Sequence, residues 1–484
     1  MLFHTWVFFL FFLIVYPVYV FTRHNNRAMN VWLLLASYVF YGWWNPWYLF
    51  LLSGTTAIDY LMVVLMERSR TQRGRRVWLI VSLVSNFGFL GYFKYSGFIT
   101  ENLNGLLGGA GLGLRLPDPV AYPNALLDVL GVAPAHHFAS VILPIGISFH
   151  TFQSMSYTID AYYRKIEAER SFARFAAFVS FFPQLVAGPI ERARNLLPQL
   201  QSTPVITRED LTDGLSLFFV GFFKKVALAD YLSLYVDKVY ATPGNYQSAA
   251  LLLATFAFAW QIYFDFSGYT DMARGIARMM GFRLMLNFNN PYVATSLGDF
   301  WNRWHISLST WFKDYVYIPL GGNRHGTFNT YRNMFFTMVI SGLWHGASWT
   351  FVIWGALHAF GRVLTRELER TAFYRDRVPT LLKQLLVFAF VCLAWVFFRA
   401  QSLADAWLVL SRIVTSGWGD PQFPLLMLVL VLAVWLYQFV FSSAGKLTPL
   451  LELSPVRVGM AMAMVAYLLI VAQPGSKAFI YFQF

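Results

Sequence analysis

Three histidines lie near one another in the sequence, and each has mainly apolar neighbours. His345 lies in the run SGLWHGASWTFVIWG, His305 in the earlier stretch DFWNRWHISLSTWFKDYVYIPLGGNR, and His358 follows both. An imidazole titrates near neutral pH without large tuning, so it can accept a proton from a hydroxyl group as a general base. A buried histidine can equally be structural, with its ring hydrogen-bonded to a carbonyl of a neighbouring helix. The residues alone leave both interpretations open.

A pair of carboxylates forms a second polar group, in the stretch QIYFDFSGYTDMARG. Asp265 and Asp271 could bind a metal ion or act as acid and base. On a continuous helix their side chains would point in different directions, so a shared site requires Ser267–Gly268 to break the helix. The alternative is that each carboxylate forms an ion pair with Arg274 or Arg278, as a buried charge requires.

The composition indicates what must hold these residues in place. The chain has 484 residues, of which 57% are hydrophobic and 13% charged, against about 25% charged residues in soluble proteins. Several apolar stretches approach the ~20 residues that cross a bilayer as a helix. We therefore predict an all-α polytopic membrane protein with roughly 10–12 transmembrane helices plus re-entrant or interfacial helices, in a single domain over residues 1–484. The clearest predicted spans are Leu2–Phe21, Val77–Phe93, Leu385–Phe398, Pro424–Phe441 and Val458–Val471.

Basic loops predict the orientation in the membrane. The stretches Glu67–Arg76 and Tyr163–Arg174 are rich in arginine and belong in the cytoplasm, whereas Thr100–His137 contains no lysine and belongs outside. This alternation predicts that both termini are external. The net charge of +13 is then explained by cytoplasmic loops and an anionic substrate, and no nucleic-acid partner is expected.

The segment 295–332 is too polar to span a membrane. Its aromatic and aliphatic residues recur every three or four positions, which predicts one amphipathic helix with His305 beside the apolar face. Such a helix would lie in the headgroup region or form a re-entrant element covered by protein. The residues of this apolar face are Phe300, Trp304, Leu308, Trp311 and Tyr315.

Several kinds of chemistry have no sequence support. The chain carries no correctly placed G-x-S-x-G, Walker, HExxH or GxGxxG motif. Its single cysteine, Cys392, excludes disulfides within the chain and cysteine-based zinc sites. No metal site and no permanently bound cofactor are predicted. A histidine base acting in a membrane-embedded cavity remains.

The motifs around the histidines resemble those of the membrane-bound O-acyltransferase family. They are DFWNRWHISLSTWFKDYVYIPLGGNR, SGLWHGASWTFVIWGALHA and YFDFSGYTDMARG, with further similarity in LPIGISFHTFQSMSYTIDAYYR, FFPQLVAGPIERA and GFFKKVALAD. Their order is similar to that of the bacterial branch that acetylates polysaccharides. The motif core covers about residues 261–360. The resemblance implies a ring of tilted helices around a thinned centre, with a tunnel between the two membrane faces.

The resemblance also implies an activity. The family's invariant histidine corresponds to His345, which would be the general base. His305 matches the second family position, where it could orient the base, polarise the thioester carbonyl or only shape the tunnel. The donor would be acetyl-CoA from the cytoplasm, as a substrate. The acetyl group would leave on the periplasmic face of the bacterial inner membrane, towards an SGNH-type acetyltransferase and the polysaccharide biosynthesis machinery.

Other residues are candidates for binding and relay. Lys313, Arg324 and Arg332 lie near the motifs and could contact the CoA phosphates, although a solvated basic face would look the same. Tyr481 in the C-terminal FIYFQF could accept the acetyl group and pass it on, or the aromatic end could be an interfacial anchor. Gly342 and Gly346 could let substrate or a neighbouring helix approach the flank of His345.

Two alternatives stay open. Alginate is the first expectation for the acetylated polymer, and peptidoglycan or cellulose could be acetylated by the same mechanism. From another functional class, an aromatic, basic membrane protein could be a polysaccharide exporter or flippase. The clustering of polar residues around two histidines, rather than along a continuous channel, favours the enzyme.

Overall fold

A computed structural model describes residues 1–129 and 143–443, together with Gly459, Met462, Met464 and Tyr467. Within these residues the chain is helical and contains no β-strand. The helices of the N-terminal half are α1 (Trp6–Thr22), α2 (Asn26–Gly42), α3 (Tyr48–Arg68), α4 (Gln72–Leu90), α5 (Ser96–Gly109), α6 (Ala121–Val129), α7 (Ile147–Tyr162), α8 (Phe172–Ser180), α9 (Ala193–Gln201), α10 (Arg208–Phe223) and α11 (Asp230–Ala241).

The C-terminal half carries the motif region. Its helices are α12 (Ser248–Met279), α13 (Leu297–Arg303), α14 (Ile306–Phe312), α15 (Gly326–His345), α16 (Trp349–Arg370), α17 (Thr380–Arg399), α18 (Leu403–Thr415) and α19 (Leu425–Ser443). Short π-helical turns connect α4 to α5 and α10 to α11, extend α14 and follow α16; those used below are Gly91–Tyr95 and Lys224–Ala229.

Four helical stretches of the described residues are long and apolar enough to cross a membrane. They are α3, α12, α17 and the continuous stretch Gln72–Gly109, which runs from α4 through Gly91–Tyr95 into α5. The shorter apolar stretches Trp6–Thr22 and Leu425–Gln438 correspond to two further predicted spans. The predicted span Val458–Val471 lies largely outside the described residues. The overall count of spans stays a prediction.

Helices α10 and α12 pack backbone against backbone at two pairs of glycines. A Cβ atom on Gly221 would lie 2.5 Å from the carbonyl oxygen of Gly268, and one on Gly214 would lie 2.8 Å from that of Gly275. Glycine has no side chain, so the two backbones can approach this closely. In apolar surroundings such close packing is what holds helices together. The two contacts fix α12, the long helix from which Phe266 packs against His305.

The two aspartates of α12 do not form a shared site. The helix runs unbroken from Ser248 to Met279, so Ser267–Gly268 does not bend it. Lys225 pairs with Asp265 at 2.8 Å, while Lys224 pairs with Asp271 at 2.7 Å. Each aspartate therefore forms an ion pair, as one of the two predictions had it. The main partners are lysines of the π-helical turn Lys224–Ala229 and not the predicted arginines. Of the predicted arginines, Arg274 lies 3.8 Å from Asp271.

A buried carboxylate joins three helices of the N-terminal half. The side chain of Asp59 on α3 is fully buried. It accepts hydrogen bonds from Ser82 and Asn86 of α4 and from Ser154 of α7. A buried carboxylate is costly without such donors. These hydrogen bonds therefore hold α3, α4 and α7 against one another.

The segment around His305 differs from the predicted amphipathic helix. The chain forms two short helices, α13 and α14, and His305 between them has a left-handed backbone with φ 43°. That conformation is uncommon for a residue other than glycine and ends one helix before the next begins. The apolar residues on both sides, Phe300, Trp304 and Leu308, are at most 1% exposed. A single continuous helix is therefore wrong for this segment, whose apolar residues around His305 are covered by protein.

Candidate active site

His345 is the last residue of α15. Gly346 follows in an extended conformation, and Ser348 then caps the start of α16 by accepting a hydrogen bond from the amide of Thr350. The side chain of His345 is 3% exposed. Since a helix end leaves its last carbonyls without helical partners, the surroundings of this end decide how firmly His345 is held.

A π-helical turn on another part of the chain satisfies those carbonyls. Lys94 donates from Nζ to the carbonyl oxygens of Trp344 at 2.5 Å and His345 at 3.1 Å, and the hydroxyl of Tyr95 donates to Leu343 at 2.9 Å. The Lys94 ammonium also lies 5.7 Å from the centre of the Trp344 ring. A cation at the negative end of a helix dipole is stabilising. Lys94 and Tyr95 therefore anchor the turn that carries His345.

Aromatic rings surround the His345 imidazole. The ring centroid lies 5.0 Å from Trp344, 5.1 Å from Trp354 and 5.3 Å from Phe398, each in an edge-to-face arrangement. This arrangement is favourable for aromatic pairs. The rings restrict the orientation of His345 and exclude water from its sides.

His305 also packs against Trp344. The centroids of His305 and Trp344 are 6.2 Å apart, and Phe149 packs against both rings at 6.2 Å and 5.3 Å. His305 is fully buried, and its Nδ1 lies 3.1 Å from Oδ1 of Asn287. The structure thus brings His305 and His345 into contact with the same tryptophan.

His358 lies on the far side of the cluster. Its Nδ1 accepts a hydrogen bond of 3.3 Å from Trp301 Nε1, and its ring packs edge-on against Trp354 at 4.7 Å. The ring is fully buried among aromatic side chains, and among the described residues its other nitrogen, Nε2, has no hydrogen-bonding partner.

A cavity of about 340 Å³ opens beside the histidine cluster, between the α13–α14 segment, α15 and α16. Its lining includes Ser341, which lies one helical turn before His345. Cations contribute to the lining at other points, namely Lys313, Arg362 and Arg366. The cavity therefore has three cations that suit an anionic ligand, and its wall comes within one helical turn of His345.

Only one of the three residues predicted to bind the CoA phosphates lines this cavity. Lys313 lines the cavity, whereas Arg324 and Arg332 are not part of its lining. Arg324 is exposed, and Arg332 donates a hydrogen bond to Asn333. Tyr481 lies outside the described residues.

Sequence reasoning missed several residues of this site. Arg362 and Arg366 were not among the predicted binding residues, although their spacing of four residues places both on one face of α16. Lys94 was missed because the predicted span ended one residue before it. The available signal was that Lys94 is the single charged residue between Arg76 and Glu101, and a lone intramembrane charge is functional by default.

Comparisons with known proteins show which family the chain resembles. A model of the membrane-bound O-acyltransferase family matches residues 143–406. The chain is 42% identical over 395 residues to the probable alginate O-acetylase AlgI of Pseudomonas aeruginosa, covering 81% of this chain and 71% of that protein. It is 35% identical over 419 residues to the peptidoglycan O-acetyltransferase of Helicobacter pylori, with coverage of 81% and 74%.

A more distant relative is named for a different activity. Over 286 residues the chain is 29% identical to the teichoic acid D-alanyltransferase of Bacillus subtilis, covering 55% of this chain and 71% of that protein. The family match spans more than half of the chain and includes both His305 and His345. The chain is therefore an enzyme of the membrane-bound O-acyltransferase family.

Proposed function

We propose that this enzyme takes acetyl groups from acetyl-CoA at the cytoplasmic face of the bacterial inner membrane and supplies them for O-acetylation of a polysaccharide outside. Alginate is the first candidate polymer, because two relatives named as probable alginate O-acetylases are 42% identical to this chain over 81% of its length. Family membership favours this reaction over polysaccharide export. The observation that carries the proposal is His345, held at a helix end one turn from a cavity that carries three cations.

In the proposed reaction, His345 acts as the general base. It removes the proton of the acceptor hydroxyl as the oxygen forms a bond to the thioester carbonyl carbon. The tetrahedral intermediate then collapses, the carbon–sulfur bond breaks, and the CoA thiolate receives the proton from His345. The products are an acetyl ester and free CoA. The aromatic rings around His345 exclude water, which protects the thioester from hydrolysis.

The acetyl content of the cell's polymers tests the proposed function. Deleting the gene in its own host should remove base-labile acetyl groups from alginate and leave those of peptidoglycan unchanged, and a plasmid copy should restore them. Loss from peptidoglycan alone would assign the other polymer. Unchanged acetylation of both polymers and of cellulose would contradict the proposal.

Arg362 and Arg366 extend the proposed CoA-binding set of Lys313, Arg324 and Arg332. A charge-assisted hydrogen bond contributes about 1.5–3 kcal/mol, so Arg362→Gln and Arg366→Gln are each expected to raise KM for acetyl-CoA roughly tenfold. The measurement is the initial rate against acetyl-CoA concentration. Arg375→Gln is the control, because Arg375 is exposed and pairs with Asp376. An unchanged KM in both cavity variants would assign phosphate binding elsewhere, and Arg324→Gln and Arg332→Gln complete the series.

Lys94 is expected to affect turnover more than substrate binding. Lys94→Met removes the ammonium from the carbonyls of Trp344 and His345 and should lower kcat by roughly 10-fold to 100-fold with KM for acetyl-CoA nearly unchanged. Lys94→Arg should recover part of kcat. Tyr95→Phe is the matched control, since it removes one neutral hydrogen bond and should cost less. A wild-type kcat in Lys94→Met would show that this contact does not position His345.

Tyr481 is proposed as an acetyl relay to a periplasmic SGNH-type acetyltransferase. In this step the tyrosine hydroxyl is the acceptor deprotonated by His345, and the tyrosyl ester then passes its acetyl group to the partner's nucleophile. Tyr481→Phe removes the acceptor oxygen, so polymer acetylation should fall to the level of the deletion strain. Phe482→Leu is the control for an aromatic anchor. Full acetylation with Tyr481→Phe would rule out the relay.

A further inference from the structure

The side chain of Asn287 braces the turn between α13 and α14. Its Oδ1 lies 3.2 Å from the backbone nitrogen of Ser307, 3.0 Å from the Ser307 hydroxyl and 3.1 Å from Nδ1 of His305. The backbone oxygen of Asn287 also accepts from the amide of Ile306 at 2.9 Å. All three side chains are fully buried, so these bonds do not compete with bulk water.

The identity of the Asn287 atom at the centre of this group follows from its neighbours. The backbone N–H of Ser307 can only donate a hydrogen bond. The atom that faces it must therefore be the amide oxygen, because the NH₂ group in that place would oppose another donor. The same oxygen faces His305 Nδ1. For a hydrogen bond to form there, Nδ1 must carry the proton.

We propose that Asn287 is a positioning residue that fixes neutral His305 as the Nδ1–H tautomer, so that Nε2 meets the acetyl acceptor as a hydrogen-bond acceptor. This inference rests on the proposed function. The tautomer excludes one of the predicted roles of His305. An unprotonated Nε2 has no hydrogen to donate, so it cannot polarise the thioester carbonyl by a hydrogen bond. Nε2 can instead accept a hydrogen bond from a second donor group of the acetyl acceptor and so hold the attacking oxygen towards the carbonyl carbon, while the proton of that oxygen passes to His345.

The surroundings of Nε2 agree with this role. In the part of the chain that the structure describes, Nε2 has no hydrogen-bonding partner. Phe266 packs edge-on at 4.6 Å from the ring centroid, and Phe149 stacks at 6.2 Å. The two phenylalanines hold the ring plane, while Asn287 determines which nitrogen carries the proton. A buried acceptor left without a protein donor is costly, which is consistent with a donor supplied by substrate.

Nuclear magnetic resonance of isotopically labelled histidine rings tests the tautomer directly. Ring nitrogens with and without a proton give well-separated signals, and the His305 signals are those that disappear in His305→Gln. The wild-type enzyme in nanodiscs should show a protonated Nδ1 and an unprotonated Nε2. Asn287→Asp keeps an oxygen acceptor and should keep this pattern, whereas Asn287→Leu should lose it. A protonated Nε2 in the neutral wild-type ring would overturn the proposal.

Kinetics of the same variants test the consequence. Asn287→Leu should lower kcat at least roughly tenfold with little change in KM for acetyl-CoA, because only the orientation of the reacting groups is disturbed. Asn287→Asp should recover most of kcat. Wild-type kcat in a well-folded Asn287→Leu would overturn the positioning role. If the expected tautomer were found in an enzyme that does not turn over acetyl-CoA, the proposed function would fail while the tautomer assignment stood.

Discussion

Replacing His345 with alanine is expected to lower acetyl transfer by at least about 100-fold, the contribution typical of a positioned general base. The substitution removes the proton acceptor but leaves the carbonyl of residue 345 to bind Lys94. The end of α15 should therefore persist. The expected result is a membrane-inserted protein at wild-type abundance that supports no measurable polymer acetylation.

Two other histidines serve as controls for this substitution. His24 is exposed in the loop between α1 and α2, so His24→Ala should leave acetylation unchanged. His358→Asn retains a polar side chain beside Trp301 and should reduce stability more than turnover. Strong acetylation by His345→Ala, at equal abundance, would refute the role of His345 as base.

Gly342→Ala is expected to destabilise the enzyme more than most single substitutions. A Cβ atom on Gly342 would collide with the backbone carbonyl oxygen of Phe351 on α16, and one on Gly355 would collide with that of Met338 on α15. Neither backbone can move without separating the two helices. Overpacking of this kind costs about 1–3 kcal/mol. The midpoint of thermal unfolding in detergent should fall clearly, and activity should fall with it because α15 carries His345.

Gly88→Ala provides the matched control in another helix. A Cβ atom there would meet nothing within 4 Å, and alanine is favoured over glycine in helices by up to about 1 kcal/mol. Its unfolding midpoint should equal or exceed that of the wild type. Equal midpoints for Gly342→Ala and Gly88→Ala would show that α15 and α16 are not in backbone contact.

The fold class was predictable because it depends on composition and on the length of apolar runs. The apolar stretches on either side of Trp43–Trp47 are helical, as α2 and α3. The prediction that Gly342 allows close approach is also confirmed for a neighbouring helix. At Gly346, by contrast, the neighbour is the ring of Phe351.

The geometry of the site was less predictable because it depends on contacts between distant segments. The apolar residues from Phe300 to Tyr315 have the same spacing whether they form one helix or two. No neighbouring residue indicated the left-handed backbone at His305. Asn287, which hydrogen-bonds to that turn, lies outside the periodic stretch 299–324. The ion pairs of Asp265 and Asp271 likewise depend on a π-helical turn that brings Lys224 and Lys225 to α12. Periodicity carries no information about such pairings.

The most direct test of the central claim is the release of free CoA from acetyl-CoA by the purified enzyme in proteoliposomes, with the acceptor polymer and periplasmic partner present. The wild type should release CoA and transfer an equal amount of labelled acetyl to the acceptor, and His345→Ala should do neither. Equal CoA release and acetyl transfer by the wild type and His345→Ala would contradict the claim that His345 is the base for acetyl transfer.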